Sequence, residues 1–471
     1  MAATLFSSLD RHHRRLALIE PDGRRLTYGE MLKVGDGLGQ VARRQRSGRS
    51  LALVICRNDA DCVAGYVGLM RAGMVVMMAH HSVQPAHLDA IIARFAPALL
   101  YAPAGFAHSG RNLASQGGYV LADLGHGGVD VHEGLALLLT TSGTTGSRNF
   151  VRLSGANIDA NAGAIVEYLG IDGDQRPITT MPLSYTYGLS IVHSHLLAGA
   201  AVVLSEDSVV SPGFWQAMRA QAVTSMGGVP FIYDMLKKLR FARMDLPDLK
   251  VLTQAGGRMA PQLVSEFAEI CAGSDRRFIV MYGQTEATAR MSWLPWDEVP
   301  RRPHSIGKAI PGGRLWLEDE DGTKVNGTGA CGELVYGGAN VSWGYAKNAG
   351  DLCRGDDNGG ILRTGDMAMQ DEDGYFTIIG RRKRFLKVFG HRVNLDDLER
   401  LLHQAGLVCA CGGADDRLMV YGVAAELEAL KAAVSAATGL TSQMFRAVVV
   451  TDLPRQEAGK VDYAALEAAH G

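Results

Sequence analysis

A loop rich in glycine and hydroxyl residues is the first part of this chain whose residue types suggest chemistry. The apolar run Leu135 to Leu138 predicts a buried strand, and it is followed closely by Thr141, Ser142, Gly143, Thr144, Thr145 and Gly146. A loop with so little side-chain bulk lets backbone N–H groups and hydroxyls approach phosphate oxygens closely. It is not a Walker P-loop, because GxxxxGK[ST] cannot be written in it. Taken alone, such a loop is more often a plain turn than a phosphate site.

Seven further motifs follow this loop, and their order is more informative than any one of them. They are Met281–Ala287 (MYGQTEA), Gly332–Gly338 (GELVYGG), Leu362–Asp366 (LRTGD), Asp373–Phe376 (DGYF), Gly380–Lys383 (GRRK), Lys387–Val393 (KVFGHRV) and Pro454–Lys460 (PRQEAGK). The series resembles the acyl-adenylate-forming superfamily of acyl-CoA synthetases, peptide-synthetase adenylation domains and luciferase-like enzymes. The resemblance extends from about Ala17 to Lys460.

This resemblance implies an ATP-dependent carboxylate ligase that works in two steps. A small carboxylic acid attacks the α-phosphorus of ATP, pyrophosphate leaves, and an acyl-adenylate forms. The acyl group then passes to a thiol, so ATP, Mg²⁺ and either CoA or a phosphopantetheinyl carrier protein are the implied co-substrates. An amine acceptor, giving an amide, is the alternative within enzymes, and an unusual acid is another.

Nucleotide-binding roles follow from the resemblance, residue by residue. The loop Thr141 to Gly146 is expected to hold the β- and γ-phosphates, and Thr285 an α-phosphate oxygen. Glu286 is the expected Mg²⁺ ligand, because Mg²⁺ takes one or two protein carboxylates plus phosphate oxygens. Without the other motifs, Thr285 and Glu286 would be read as the capped start of a helix. The rest of the implied set is Tyr282, which stacks on the adenine, Asp366, which binds the ribose, and Gly256, Gly283, Gln284, Ile378, Arg381 and Lys387.

The phosphate loop departs from the family pattern at one position. The family usually continues this loop with Pro-Lys-Gly, whereas this chain has Ser147-Arg148-Asn149-Phe150, so Asn149 stands where lysine is usual. Arg148 supplies positive charge one position away. This departure is expected to affect how strongly the triphosphate is bound more than which class of reaction is catalysed.

Two lysines near the C-terminus are assigned to the change between half-reactions. By resemblance, Lys460 bridges the carboxylate and the α-phosphate during adenylation, and a flexible ammonium suits the charge that develops there. Lys383 stands at the family's hinge, where the C-terminal domain is expected to rotate for the second half-reaction. Outside this context Lys460 would be an ordinary surface lysine.

The acyl pocket is assigned to three segments that match the family's substrate site. Its predicted residues are Tyr185, Thr186, Gly188, Val229, Pro230, Ala255, Gly256 and Gly257. Tyr185 stands where many acyl-CoA synthetases have histidine and amino-acid-activating domains have aspartate, which argues against an ordinary α-amino acid. His193 and His195 are two residues apart on one predicted helix, so they do not share a face. For both, a core or surface position is favoured over the pocket.

Strand-like and helix-like patterns alternate from residue 16 to about residue 310, which predicts an α/β fold with a layered sheet. Examples are the strands Ser50–Cys56 and Met74–Met78 and the helices Asp59–Arg71 and His87–Phe95. Short strands and Gly/Asp turns then predict a β subdomain over about 312–380. We expect a large N-terminal domain over 1–382 and a small mobile α+β domain over 383–471.

Composition restricts the function classes. The chain has 471 residues, 47% of them hydrophobic and 20% charged, with a net charge of −2, so nothing points to nucleic acid. The Arg-rich segment Arg11–Arg15 precedes no signal-peptide core, and no apolar stretch is long enough for a membrane span. Cys409 and Cys411 are interpreted as two buried strand cysteines rather than a metal or redox pair, because no partner His/Cys cluster lies nearby in the sequence. The cytoplasm is the expected location.

Two other classes were weighed against the ligase. A non-catalytic nucleotide-binding relative is favoured only by Asn149 and by a C-terminal segment that is short for the family. The Thr285, Glu286, Asp366, Arg381 and Lys460 side chains argue against it. A Walker-type kinase or ATPase is excluded by the missing lysine-bearing motif.

Overall fold

The computed structural model describes residues 4–46, 48–140, 149–325, 327–388, 391–414, 416–423, 427–455 and 461–470. The chain divides into two compact units. The first comprises the described residues up to Arg314 together with Tyr336–Leu362, and the second comprises Leu315–Val335 and the described residues from Arg363 onward. The domain boundary near Lys383 stays a prediction.

The described part of the chain contains twelve α-helices and five short 3₁₀ helices. The α-helices are α1 (Thr4–Ser8), α2 (Tyr28–Gln45), α3 (Ala60–Arg71), α4 (Pro85–Phe95), α5 (Gly155–Leu169), α6 (Thr186–Ala198), α7 (Pro212–Ala220), α8 (Pro230–Lys238), α9 (Pro261–Ala272), α10 (Leu395–Gln404), α11 (Leu427–Thr438) and α12 (Tyr463–His470). The 3₁₀ helices are Leu9–His12, Phe241–Arg243, Thr285–Ala287, Ala349–Cys353 and Arg382–Arg384. Four α-helices begin with proline, whose fixed φ suits the first helical position.

Strands make up the rest of the framework. In the first unit they are β1 (Leu16–Ile19), β2 (Arg25–Thr27), β3 (Leu51–Cys56), β4 (Val75–His80), β5 (Leu99–Pro103), β6 (Arg111–Gln116), β7 (Tyr119–Asp123), β8 (Leu135–Thr140), β9 (Phe150–Ser154), β10 (Pro177–Ile178), β11 (Val202–Val203), β12 (Ser225–Gly228), β13 (Val251–Gln254), β14 (Arg277–Tyr282), β15 (Ser292–Leu294) and β16 (Lys308–Ala309). The later strands are β17 (Arg314–Glu318), β18 (Lys324–Val325), β19 (Cys331–Gly337), β20 (Tyr345–Ala346), β21 (Ile361–Gln370), β22 (Phe376–Arg381), β23 (Phe385–Val388), β24 (His391–Asn394), β25 (Cys409–Ala414), β26 (Arg417–Val423) and β27 (Phe445–Val450).

Two large mixed sheets form the first unit. One has the order β16-β15-β14-β13-β12-β10-β11-β1-β2, and its central strands β14 to β1 run parallel. The other has the order β20-β9-β8-β4-β3-β5-β7-β6, with β8, β4, β3 and β5 parallel. Parallel strands need helical crossovers and are buried on both faces, which agrees with the fully buried β3. The predicted α/β fold class is confirmed.

Helix α3 is buried on every side. Its residues from Ala60 to Met70 are all buried, Asp61 included. It crosses α2 so closely that a Cβ added to Gly68 would lie 2.0 Å from the carbonyl oxygen of Gly35. Small residues on both helices therefore allow the contact, and the pattern of large apolar residues alone could not reveal it.

The second unit is a small α+β assembly. Its five-stranded sheet has the order β18-β17-β19-β21-β22, and the C-terminal part has the hairpin β23-β24 and the sheet β25-β26-β27. Helix α10 begins where Asn394 Oδ1 accepts hydrogen bonds from the backbone N–H groups of Asp396 and Asp397. That capping, with two acids in the first turn, favours a helix start at this position.

Cys409 and Cys411 are buried on β25, as expected, and one histidine lies beside them. His403 Nε2 lies 3.1 Å from the Cys409 carbonyl oxygen and 3.3 Å from its backbone nitrogen. Hydrogen bonds from Cys411 and His403 lower the pKa of Cys409 to about 6. The sequence separation hid the contact, because the turn after α10 brings His403 back to β25.

Among the described residues, no helix is long and apolar enough to cross a membrane. The same residues contain no cluster of three or more His, Cys, Asp or Glu side chains that could hold a metal ion.

Arg152 on β9 is a buried cation whose hydrogen bonds fix a loop of the first unit. Its side chain is 0% exposed, pairs with Asp357 and donates to the carbonyl oxygens of Trp343, Arg354 and Gly355. We expect Arg152→Ala to lower the free energy of unfolding by about 3 kcal/mol, because it leaves buried acceptors without a donor. Urea denaturation measures the change.

The matched control is Arg354→Ala, which removes a half-exposed guanidinium paired with the same Asp357. Arg354→Ala should lower the free energy of unfolding by at most about 0.5 kcal/mol, as is usual for exposed ion pairs. Equal losses of unfolding free energy in the two variants would contradict the role of Arg152 in fixing this loop.

Candidate functional site

The ends of three neighbouring parallel strands place most of the predicted site residues of the first unit together. Gly228 at the end of β12 pairs with Gln254 at the end of β13, which pairs with Val280 near the end of β14. In open α/β sheets, ligands bind outside the carboxyl ends of the strands. The segments that follow these ends are Val229–Pro230, Ala255–Gly257 and Tyr282–Glu286, three of the predicted sets.

Tyr185 and Val229 meet at Gly256. A Cβ built on Gly256 would lie 2.5 Å from the Tyr185 hydroxyl oxygen and 3.0 Å from Val229 Cγ1. Gly256 has φ +81°, a conformation that side chains rarely adopt. The Gln254 side chain fixes this turn by donating to the carbonyl oxygen of Gly257 at 2.8 Å. The structure thus brings together pocket residues that are up to 72 positions apart in the chain (185 to 257).

Helix α6 begins at this same place. Thr186, its first residue, donates its hydroxyl to the carbonyl oxygen of Thr288, which ties the predicted pocket segment to the loop after β14. Gly188 follows within the first turn and is buried. Burial raises the pKa of Tyr185 to about 12, so its phenol is a neutral hydrogen-bonding group near neutral pH.

Thr285 and Glu286 form the short 3₁₀ helix that follows Tyr282, Gly283 and Gln284. Thr285 is 8% exposed, and its hydroxyl has no hydrogen-bond partner within the described part of the chain. Glu286 is half-buried and accepts a 2.6 Å hydrogen bond from the Tyr345 hydroxyl on Oε1. Its own backbone carbonyl accepts from Ser342 N at 2.8 Å. No described cationic side chain pairs with this carboxylate.

Tyr345 was not singled out from the sequence. Burial, and then the Glu286 carboxylate, raise the pKa of its phenol, so the hydroxyl stays protonated and donates. Nothing in the local sequence connects it with Glu286, since 59 residues separate them. Only the pairing of β20 with β9 places it here.

The second unit contains its own group of predicted residues. Asp366 on β21 lies opposite Arg381 on β22 in the strand register, and Arg381 Nε donates to Asp366 Oδ1 at 3.1 Å. Asp366 is buried, whereas the Arg381 side chain is 60% exposed. Ile378 is half-buried on the same strand as Arg381. Glu333, to which no chemistry was assigned, accepts from Gly365 N and pairs with Arg382.

Several predicted residues cannot be placed in the same way. The phosphate loop residues Thr141, Ser142, Gly143, Thr144, Thr145 and Gly146 and the catalytic candidate Lys460 lie outside the described residues. Lys383 and Lys387 are placed in a 3₁₀ helix and in β23 by their backbone alone. Asn149 lies half-buried immediately before β9.

The two histidines of α6 belong to the core. His193 and His195 are each 4% exposed, and burial lowers their pKa values to about 3 and about 4. His193 Nε2 lies 2.8 Å from the Tyr66 hydroxyl. Both rings are therefore neutral packing groups under ordinary conditions.

Comparison with known proteins agrees with this geometry. The sequence model of the AMP-binding enzyme family matches residues 5–346, which is most of the chain. The chain belongs to the AMP-binding enzyme family.

Two relatives illustrate how far the similarity extends. Peroxisomal OPC-8:0-CoA ligase 1 of Arabidopsis thaliana is 30% identical over 275 residues, 57% of this chain and 49% of that protein. Pyochelin synthetase PchE of Pseudomonas aeruginosa (strain UCBPP-PA14) is 29% identical over 284 residues, 59% of this chain and 20% of that protein. The matches thus span about half of the ligase and a fifth of the synthetase.

The fold is shared with solved structures over nearly the whole chain. The o-succinylbenzoate CoA synthetase of Bacillus subtilis, in complex with the acyl-adenylate intermediate OSB-AMP, has a TM-score of 0.79 and 20% identity. The similarity covers 98% of this chain and 97% of that one. At this identity the likeness concerns the fold alone.

The residues of this AMP-binding enzyme fit a nucleotide with its magnesium ion. The Glu286 carboxylate has an oxygen without a donor among the described residues, and the Thr285 hydroxyl beside it is without a partner. Oxygen ligands of this kind suit Mg²⁺ and phosphate. On the second unit, the buried Asp366 carboxylate can accept from two vicinal hydroxyls.

Gly256 has no room for a side chain, because it combines a positive φ with two close neighbours. We expect Gly256→Ala to lower the free energy of unfolding by about 1–2 kcal/mol, because alanine is strained at this φ. Its methyl group would also press on the Tyr185 hydroxyl and raise the KM for the acid. Urea denaturation and steady-state kinetics measure the two effects.

Two further variants separate strain from clash. Adding Tyr185→Phe to Gly256→Ala should restore the KM but not the stability, since it removes only the hydroxyl. Gly257→Ala, whose Cβ would lie 3.2 Å from Pro230, should change both quantities less. An unaltered KM in Gly256→Ala would remove this glycine from the acyl pocket.

The hydrogen bond from the Tyr345 hydroxyl to Glu286 Oε1 orients the carboxylate. Tyr345→Phe removes a donor that orients the carboxylate, so the Mg²⁺ concentration that half-saturates nucleotide binding should rise about 10-fold. Calorimetric titration of ATP at a series of Mg²⁺ concentrations measures this shift. Tyr119→Phe is the control, because its hydroxyl donates to Ile55 O instead. Equal Mg²⁺ dependence in both variants would show that Tyr345 does not position Glu286.

Proposed function

We propose that this chain is an ATP-dependent carboxylate ligase. It joins a small carboxylic acid to the α-phosphate of ATP with loss of pyrophosphate, and then transfers the acyl group to a thiol with loss of AMP. The observation that supports this most strongly is the pairing of two features at one sheet edge. The Thr285 hydroxyl, which has no hydrogen-bond partner among the described residues, and the Glu286 carboxylate lie beside a turn where Tyr185, Val229 and Gly256 meet.

The residues of the first unit have distinct tasks in this proposal. Thr285 donates its hydroxyl to an α-phosphate oxygen as negative charge develops there. Glu286, oriented by Tyr345, holds the magnesium ion, which neutralises charge on the phosphate oxygens. Tyr185 and Gly256 border the space for the acyl group, so that its carboxylate oxygen approaches phosphorus in line with the leaving pyrophosphate.

The remaining assignments concern the second unit and the phosphate loop. Asp366, next to Arg381, binds the ribose hydroxyls. Thr141 to Gly146 bind the β- and γ-phosphates, and Lys460 bridges the acid and the α-phosphate. Lys383 is the proposed hinge for the exchange between half-reactions, and Lys387 belongs to the loop used in the second.

The thiol that we propose is that of CoA or of a phosphopantetheinyl carrier protein. A relative that is named as a CoA ligase supports the first of these acceptors. All seven cysteines of the chain are free thiols, which is the usual state in a reducing compartment. We therefore propose a cytoplasmic enzyme.

The test is release of pyrophosphate and AMP across a panel of short, long, aryl, amino and hydroxy acids. Each acid is supplied with Mg·ATP, with and without CoA. We expect acid-dependent release of AMP, and a further increase with CoA if CoA is the acceptor. ADP as the product, or ATP binding without release for every acid, would contradict the ligase.

Lys460→Ala tests the division of labour between the half-reactions. We expect pyrophosphate release to fall by at least about 100-fold, because an interaction made in the transition state is lost. Turnover of a supplied acyl-adenylate with thiol should continue. Loss of both half-reactions would contradict the assignment of Lys460, and Arg455→Ala, five residues earlier, is the control for a general effect on this segment.

A further inference from the structure

Arg290 is a buried cation whose charge no acidic side chain balances within the described part of the chain. It lies between the 3₁₀ helix Thr285–Ala287 and β15, and it is 2% exposed. Its guanidinium donates to the Tyr168 hydroxyl at 3.2 Å and to Ser190 Oγ at 3.1 Å, and it contacts the Met281 sulfur. Every one of these partners is neutral. Arg290 Nε is buried without any hydrogen-bond partner.

The contrast with Arg152 shows that this fold balances a buried guanidinium elsewhere. Arg152 is equally buried, but it pairs with Asp357 and donates to three backbone carbonyls. Among the described residues Arg290 has no ion pair and no carbonyl acceptor. A guanidinium stays charged in a protein, and a buried charge is costly unless it is paired. No anion among the described residues therefore balances the charge of Arg290.

The position of Arg290 connects it with the predicted acyl pocket. Its guanidinium carbon lies 4.3 Å from the centre of the Tyr187 ring. That ring is 6.5 Å from the ring of Tyr185, whose hydroxyl borders Gly256. Ser190 lies one turn further along α6, and the Tyr187 hydroxyl is 2.9 Å from Thr253 Oγ1 on β13. The cation thus lies against α6, the helix that begins at the predicted pocket, and Tyr187 connects it with β13.

A small cavity with both polar and apolar side chains in its lining lies beside Ser190. Thr186, Ser190, Asn161 and Thr288 contribute to its lining, and its volume is about 10 Å³. The Oδ1 atom of Asn161 is buried there without a partner. A volume of this size holds no more than a water molecule, so the cavity does not accommodate the acid itself.

We propose that Arg290 binds a second anionic group on the acid, and that the substrates are therefore dicarboxylic acids. The distal carboxylate would accept from Nε and one terminal nitrogen of the guanidinium, a bidentate geometry that favours arginine. The other carboxylate would be the one that is activated. This inference rests on the proposed function, since it assigns the substrate class to the same site.

Binding of unreactive acyl-sulfamoyl adenosines tests the proposal without requiring turnover. Two series are compared by calorimetry over the same chain lengths, one derived from dicarboxylic acids and one from the matching monocarboxylic acids. We expect the best dicarboxylic analogue to bind at least about 10-fold more tightly than its monocarboxylic match. No preference at any chain length would overturn the proposal, whatever the variants do.

Variants at Arg290 then identify the group responsible. Arg290→Gln should abolish the preference between the two series, and Arg290→Lys should retain part of it, since a point charge replaces a bidentate donor. ATP binding and the melting temperature of each variant report general damage to the fold. If Arg290→Gln weakens both series equally, the residue is a packing group and the proposal is wrong.

The two proposals can fail separately. A dicarboxylic preference in binding, with no pyrophosphate released from any acid, would contradict the ligase and leave the assignment of Arg290 intact. Pyrophosphate release from monocarboxylic acids with equal binding of both series would support the ligase and overturn the assignment of Arg290.

Discussion

The register of β12, β13 and β14 is the constraint on which the candidate site of the first unit depends. Because these strands are parallel and aligned at Gly228, Gln254 and Val280, the segments after them emerge at one edge. These strands are buried on both faces of the sheet. A shift of the pairing register by one residue would therefore turn every side chain of the shifted strand to the opposite face. This register therefore determines the positions of the turn at Gly256 and of the 3₁₀ helix with Thr285 and Glu286.

Buried charge distinguishes structural residues from candidate binding residues in this chain. Arg152 is balanced by Asp357 and by backbone carbonyls, and its role ends with the fold. Arg290 is surrounded by neutral hydroxyls, sulfur and an aromatic face, which solvate a cation only in part. The two arginines are thus similarly buried but differ in whether an anionic partner balances their charge. Within the residues that the structure describes, Arg152 has an anionic partner and Arg290, which lies against α6, has none.

The sequence predicted the framework well and the contacts between distant elements poorly. Strands such as β3 and helices such as α4 were predictable, because local apolar patterns and proline determine them. The close crossing of α2 and α3 depends on Gly35 and Gly68, whose small size leaves no periodic signal. Tyr345 and Arg290 were missed for a related reason. Their importance comes from partners far along the chain, or from the lack of a charged one.

The surroundings of Glu286 explain how a fixed carboxylate can remain available to a cation. An arginine partner would hold the side chain firmly but would also neutralise it. Tyr345 instead orients one oxygen through a neutral donor, and Ser342 fixes the backbone carbonyl of the same residue. No described cation therefore pairs with the carboxylate, while the hydrogen bond reduces its conformational freedom. Since binding a metal costs less when the ligand is already oriented, this arrangement favours a role in nucleotide binding over a role in stability.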